Sequence, residues 1–94
     1  MKITGFVWLE DIVDKLQRRH GVEPEEVEEA LTQKARIRRI EAGQVQGEDL
    51  YAGVGRTVAG RHLIVFFVHK RTREALIVSA RDATGSEKRL YGKK

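Results

Sequence analysis

The side chains of this chain best suited to chemistry are arginines, histidines and a tyrosine. His20 and His62 are candidates to carry a proton near neutral pH, the range in which an unperturbed imidazole titrates. His69 opens a polar, basic stretch ending at Arg73 that reads as a hairpin tip. Arg56 and Arg61 flank a turn from Thr57 to Gly60, where each could hold the oxygens of a phosphate or merely solvate the hairpin. Arg36, Arg38 and Arg39 form one basic group and Lys70, Arg71 and Arg73 another. Both suit the steering of a polyanion rather than reaction with it, and salt dependence would be their signature. Tyr91 could offer its phenol to a ligand, stack on a base, or pack a terminal helix.

Other chemistries are excluded or disfavoured. There is no cysteine, hence neither thiolate nor disulfide. The three histidines are scattered, and the five glutamates between positions 23 and 29 spread around a helix instead of converging, so neither a metal site nor a cofactor is expected. The longest apolar run, Leu63 to Val68, is too short to span a membrane, and the N-terminal residues do not read as a signal peptide, which points to the cytoplasm.

Charge divides the chain. Residues 1–32 carry four basic and eight acidic groups, and residues 33–94 carry 14 basic and six acidic ones. A basic half beside an acidic half predicts a polyanion-binding surface and a separate face with another use.

The elements that must position these groups follow from periodicity. Ile3 to Trp8 reads as a short strand. Leu9, Ile12, Val13 and Leu16 repeat at helical spacing, and Gly21 stops that helix after a basic last turn. Pro24 begins a second helix whose buried stripe is Val27, Ala30 and Leu31. Arg36 to Glu41 reads as an edge strand with a slip near Arg39, and Ala42 to Gly47 as a turn. Next, Leu50, Ala52 and Val54 alternate with Tyr51, Gly53 and Gly55. Leu63 to Val68 reads as a central strand covered on both faces. Ala75 to Ala80 is the last strand, with Leu76, Val78 and Ala80 expected on one face and Ile77, Ser79 and Arg81 on the other. Thr84 or Ser86 caps a short terminal helix. A chain of 94 residues with no linker forms one domain over residues 1–94. The predicted order is β-α-α-β-β-β-β-α, an α+β fold with helices packed on a largely antiparallel sheet.

Three stretches in this order resemble the BrnT family of bacterial toxins, ribonucleases with a RelE-like fold. Phe6-Val7-Trp8 leading to Arg19-His20-Gly21-Val22 is similar to the family's opening. Gly55-Arg56-Thr57 with Gly60-Arg61 is similar to its central hairpin, and Ile77-Val78-Ser79-Ala80-Arg81 with Ala83, Glu87 and Tyr91 to its tail. The chain departs from the pattern where Leu9, Ile12 and Leu16 replace polar positions of the first helix, and where Leu76 replaces a basic residue.

The resemblance implies a toxin that cuts RNA without metal, the ribose 2′-OH attacking the adjacent phosphate. Arg81 would be the leading catalytic group, with Arg56, His62, Tyr91 and His20 beside it, unless Arg81 is held in a salt bridge by Asp82 or Glu87. Arg36, Arg38, Arg39, Arg61, Lys70, Arg71 and Arg73 would bind RNA. A cognate antitoxin, expected to be a small ribbon-helix-helix protein, would hold the toxin and give it only indirect contact with DNA. The alternative is a RelE-like binding module without turnover. A DNA-binding regulator fits less well, because the second helix is rich in glutamate and would repel phosphate.

Overall fold

The computed structural model describes residues 1–43 and 47–92. Part of the expected turn from Ala42 to Gly47 therefore lies outside the described residues. The element order is β1 (Gly5–Val7), α1 (Glu10–His20), α2 (Pro24–Thr32), β2 (Arg36–Glu41), β3 (Leu50–Arg56), β4 (His62–His69), β5 (Glu74–Asp82) and α3 (Gly85–Gly92). This is the order that periodicity predicts. The five strands form one mixed sheet in the order β1-β5-β4-β3-β2, with β1 parallel to β5 and every other pairing antiparallel.

Helices α1 and α2 cover one face of the sheet. Leu16, Val27, Ala30 and Leu31 meet Leu63, Val65, Phe67, Ala75, Ile77 and Ala80 there, in the main core. Leu9 stands at the N-cap of α1 rather than inside it and is half exposed. Leu16 is wholly buried and Ile12 packs against the same core, so two of the departures from the family pattern contribute packing. Gly21 ends α1 in the left-handed conformation, φ 60°, the expected stop. α2 starts with Pro24 at its first turn and a capping box between Glu23 and Glu26.

Helix α3 crosses the other face. Tyr91 seals a smaller cluster of Ala52, Val54 and Ile64, with Phe66 and Ala83 at its margin. Thr84 is the cap. Its Oγ1 accepts from the Glu87 amide at 3.1 Å, and its own amide donates to Glu87 Oε1 at 2.9 Å. Alternation along β4 is therefore buried on both sides, as its unbroken apolar run predicts.

One expectation fails. β5 does not keep strict alternation, because its pairing with β4 shifts between Phe66 and Phe67: Phe66 faces Ser79, yet Phe67 faces Ile77. Val78 is the extra residue of a β-bulge, which reverses the strand's phase. Ala75, Ile77 and Ala80 consequently all enter the main core. Leu76, Ser79 and Arg81 pair with Val68, Phe66 and Ile64, so they share the α3 face. Arg81 thus lies on the same face as Leu76, not opposite it.

Candidate active site

The register of the sheet gathers the basic strand residues. Arg36 pairs with Val54 and Arg38 with Ala52; Arg56 pairs with His62, and Ile64 with Arg81. Alternation then puts Arg36, Arg38, Arg56, His62 and Arg81 on the face that α3 crosses. The slip in β2 occurs between Arg39 and Glu41, as the sequence predicts, and Arg39 pairs instead with Tyr51 on the other face.

Where β3 ends and β4 begins, this face opens into a cleft of about 230 Å³. Its lining includes Val54, Gly55, Arg56 and His62 from the β3–β4 junction, Lys34 and Arg36 from the start of β2 and the turn before it, and Lys88 and Tyr91 from α3. Among the described residues, no carboxylate pairs with Lys34, Arg36, Arg56 or Lys88. Four cations around one imidazole repel a metal ion and attract an anion. A phosphate fits this donor set, and His62 adds a group able to exchange a proton.

Lys34 and Lys88 are the cleft residues that sequence reasoning missed. Lys88 had a usable signal, since it stands three residues before Tyr91 and shares its side of a helix. Lys34 had none. It holds a left-handed backbone, φ 54°, immediately after α2, and only the folded chain reveals that this turn brings it to the cleft.

Arg81 is absent from the cleft lining. Its guanidinium lies 5.9 Å from the Phe66 ring centroid and donates two bonds to Glu87, 2.8 Å to Oε1 and 2.7 Å to Oε2. The hydrogen bonds to Glu87 raise the affinity of Arg81 for its proton against a smaller opposing effect of burial. The same bonds are the main reason the Glu87 carboxyl drops to about 2. The salt bridge weighed as an alternative for Arg81 is the arrangement observed, with Glu87 as its partner.

Arg61 is likewise engaged with the protein. Its Nε donates to Asp82 Oδ1 at 2.6 Å, and its two terminal nitrogens reach the His20 carbonyl at 3.1 Å and the Gly21 carbonyl at 2.9 Å, with Glu26 at 3.3 Å. One guanidinium thereby ties the end of α1 and the start of α2 to β5. His20 sits at this junction, on the side of the sheet covered by α1 and α2, and does not line the cleft. The Gly-Arg-Thr…Gly-Arg stretch is mostly architecture. A Cβ on Gly55 would lie 1.9 Å from the Ala30 carbonyl oxygen, Thr57 bonds across the turn to Arg61, and Gly60 has φ 96°.

The remaining candidates are dispersed. Tyr91 lines the cleft but is only 7% exposed, with Arg38 5.3 Å above its ring, so no base can stack on that face. Arg39 pairs with Asp49. Lys70 pairs with Glu48 at the far end of the sheet, where Arg71 and Arg73 also lie in the β4–β5 turn. His69 meets the Lys2 carbonyl at 2.7 Å through Nε2. Among the described residues no group of three or more His, Asp or Glu side chains converges as metal ligands, and no helix is long and apolar enough to cross a membrane.

Fold and site together define a small α+β domain with a cationic, imidazole-bearing cleft on one face of its sheet. Residues 8–87 match the family described as ribonuclease toxin, BrnT, of type II toxin–antitoxin system, and the chain belongs to that family. No curated protein sequence matches the chain.

Proposed function

We propose that this toxin cleaves RNA, without a metal ion, in the cleft between α3 and the junction of β3 and β4. The observation that carries the reading is Arg56 directly opposite His62, ringed by three further cations without carboxylate partners among the described residues. The 2′-OH attacks the adjacent phosphorus and the P–O5′ bond breaks, leaving a 2′,3′-cyclic phosphate and a 5′-OH. His62 takes the 2′-OH proton, and the imidazolium so formed returns it to the departing O5′, so no net proton is gained or lost. Arg56 and Arg36 bind the phosphate oxygens as negative charge grows in the phosphorane. Lys34 and Lys88 add point charges at the cleft walls. Arg81 acts at one remove, by anchoring α3, and His20 and Arg61 serve the fold. In a RelE-like toxin of this kind, the partner is a small ribbon-helix-helix antitoxin whose own contacts reach DNA, and the pair works in the cytoplasm.

One observation favours a second reading, an RNA-binding module without turnover: Arg81 is already engaged by Glu87 and Tyr91 is packed away. End-labelled RNA incubated with the purified chain in EDTA decides between the two. Cleavage that persists and leaves cyclic ends supports the enzyme, with His62→Ala expected to slow it by roughly 10²-fold or more. Tight binding without any cleavage supports the module, and activity restored only by magnesium overturns the mechanism.

A further inference from the structure

The cleft does not end at Arg36 and Tyr91. The same two residues also line a second, larger hollow of about 410 Å³ that lies along the edge strand β2. Its other walls differ in chemistry from the cleft. Ile37 and Tyr51 supply apolar and aromatic surface, and Arg38 supplies a flat cation. Side chains from both faces of β2 reach it because β2 is the edge strand of the sheet among the described residues.

The two aromatic and guanidinium groups are held in place. Tyr51 stacks on Phe67 with ring centroids 5.9 Å apart and meets His69 edge-on. Arg38 is fixed from below, its guanidinium carbon 5.3 Å from the Tyr91 ring centroid and its Nη2 donating to the Leu90 carbonyl at 3.2 Å. The residue is otherwise exposed and lines the hollow. Tyr51 belongs to the opposite face of the sheet, so the platform is Arg38 itself: a guanidinium held on one side by Tyr91 and otherwise exposed is a stacking surface for a nucleobase. A phosphate-binding cleft that runs into such a platform has the layout of a groove for a single strand, backbone in one part and base in the other. A duplex could not use it, because its bases are already stacked and paired.

We propose that the hollow along β2 is a nucleobase subsite, and that the substrate entering the neighbouring cleft is single-stranded RNA with one base stacked on Arg38. This rests on the assignment of the cleft to RNA. Arg38 then contributes through its plane as well as its charge, which separates it from the other basic residues.

The test uses short 2′-O-methyl oligoribonucleotides, which cannot be cut, and measures binding to the full chain by fluorescence anisotropy across a salt series. The parent is expected to prefer the single strand over its duplex, and to lose about 5- to 100-fold in affinity when an abasic site replaces one particular base. Arg38→Lys retains the charge and lacks the plane. It should therefore leave the salt slope unchanged while removing the penalty of the abasic site. Equal binding of intact, abasic and duplex oligomers by the parent overturns the base subsite. An abasic penalty that survives Arg38→Lys overturns the role of Arg38. The cleft itself is judged separately by Arg56→Ala: if that variant binds RNA with the parent's affinity and salt slope, the RNA assignment on which the subsite rests fails first.

Discussion

Arg81 and Glu87 meet through two parallel bonds of 2.8 and 2.7 Å, which join the end of β5 to the first turn of α3. The same carboxylate closes the capping box with Thr84, so a single side chain both starts the helix and fastens it to the sheet. α3 in turn carries Lys88 and Tyr91 to the wall of the cleft. The ion pair is therefore connected to the site through a helix rather than through direct contact.

This pair makes stability depend on pH in a defined direction. The Glu87 carboxyl falls from 4.5 to about 2 on folding, first through its bonds to Arg81, with Thr84 assisting and burial opposing. A carboxyl whose pKa is depressed in the folded state binds more protons when unfolded, so its contribution is complete above about 4.5 and is lost as the pH falls toward 2. Relative to Glu87→Gln, the parent should be more stable by about 1–2 kcal/mol at neutral pH, allowing for screening of the partly exposed Arg81. Urea denaturation of both proteins at successively lower pH should show that gap closing. A gap independent of pH would mean that the carboxylate's charge contributes nothing.

Arg81→Ala and Glu87→Gln separate positioning from contact. If Arg81 works by anchoring α3, both variants should lower the thermal midpoint and reduce RNA cleavage to a similar degree, with Arg81→Lys recovering only part because an ammonium cannot form both bonds. Loss of cleavage in Arg81→Ala alone, with Glu87→Gln as active as the parent, would place the guanidinium on the substrate.

Lys34 sets stability against function. A non-glycine residue in the left-handed region costs about 1 kcal/mol, which glycine avoids. Lys34→Gly should therefore match or exceed the parent in thermal stability while binding RNA more weakly. The slope of log affinity against log salt should fall by about 0.7, the value for one phosphate contact on a single strand. An unchanged slope would remove Lys34 from the RNA surface.

Arg61 should behave as a structural residue. Its guanidinium serves two carbonyls and two carboxylates, and Arg61→Ala leaves the partly buried Glu26 and the end of α1 without that partner. A loss of about 2–3 kcal/mol is expected in chemical denaturation. Arg61→Lys should restore less than half of it, since one ammonium cannot span all four acceptors. If the alanine variant unfolds at the parent's midpoint, this junction does not depend on the fork.

The order and type of the elements were legible in the sequence because each carries its own local signal. Leu9 to Leu16 repeat at helical spacing, Gly21 and Pro24 punctuate, and Leu63 to Val68 is apolar throughout. The slip near Arg39 and the edge position of β2 were readable for the same reason. Assembly of the site was not, because it depends on contacts between distant segments. The bulge at Val78 shows up only where β5 is paired with β4, and it alone decides which face Arg81 occupies. Glu87 and Asp82 were equally available to Arg81 by sequence, and the start of α3 selected Glu87. Lys34 entered the cleft lining through one positive φ, and Arg61 is drawn to two helix ends that present carbonyls at its reach. Thus residue types and spacings determined the family, the elements and the supply of cations. Tertiary packing decided which cations paired with carboxylates and which, among the described residues, have no such partner around His62, because ion pairing depends on distances of a few ångströms that no local pattern encodes.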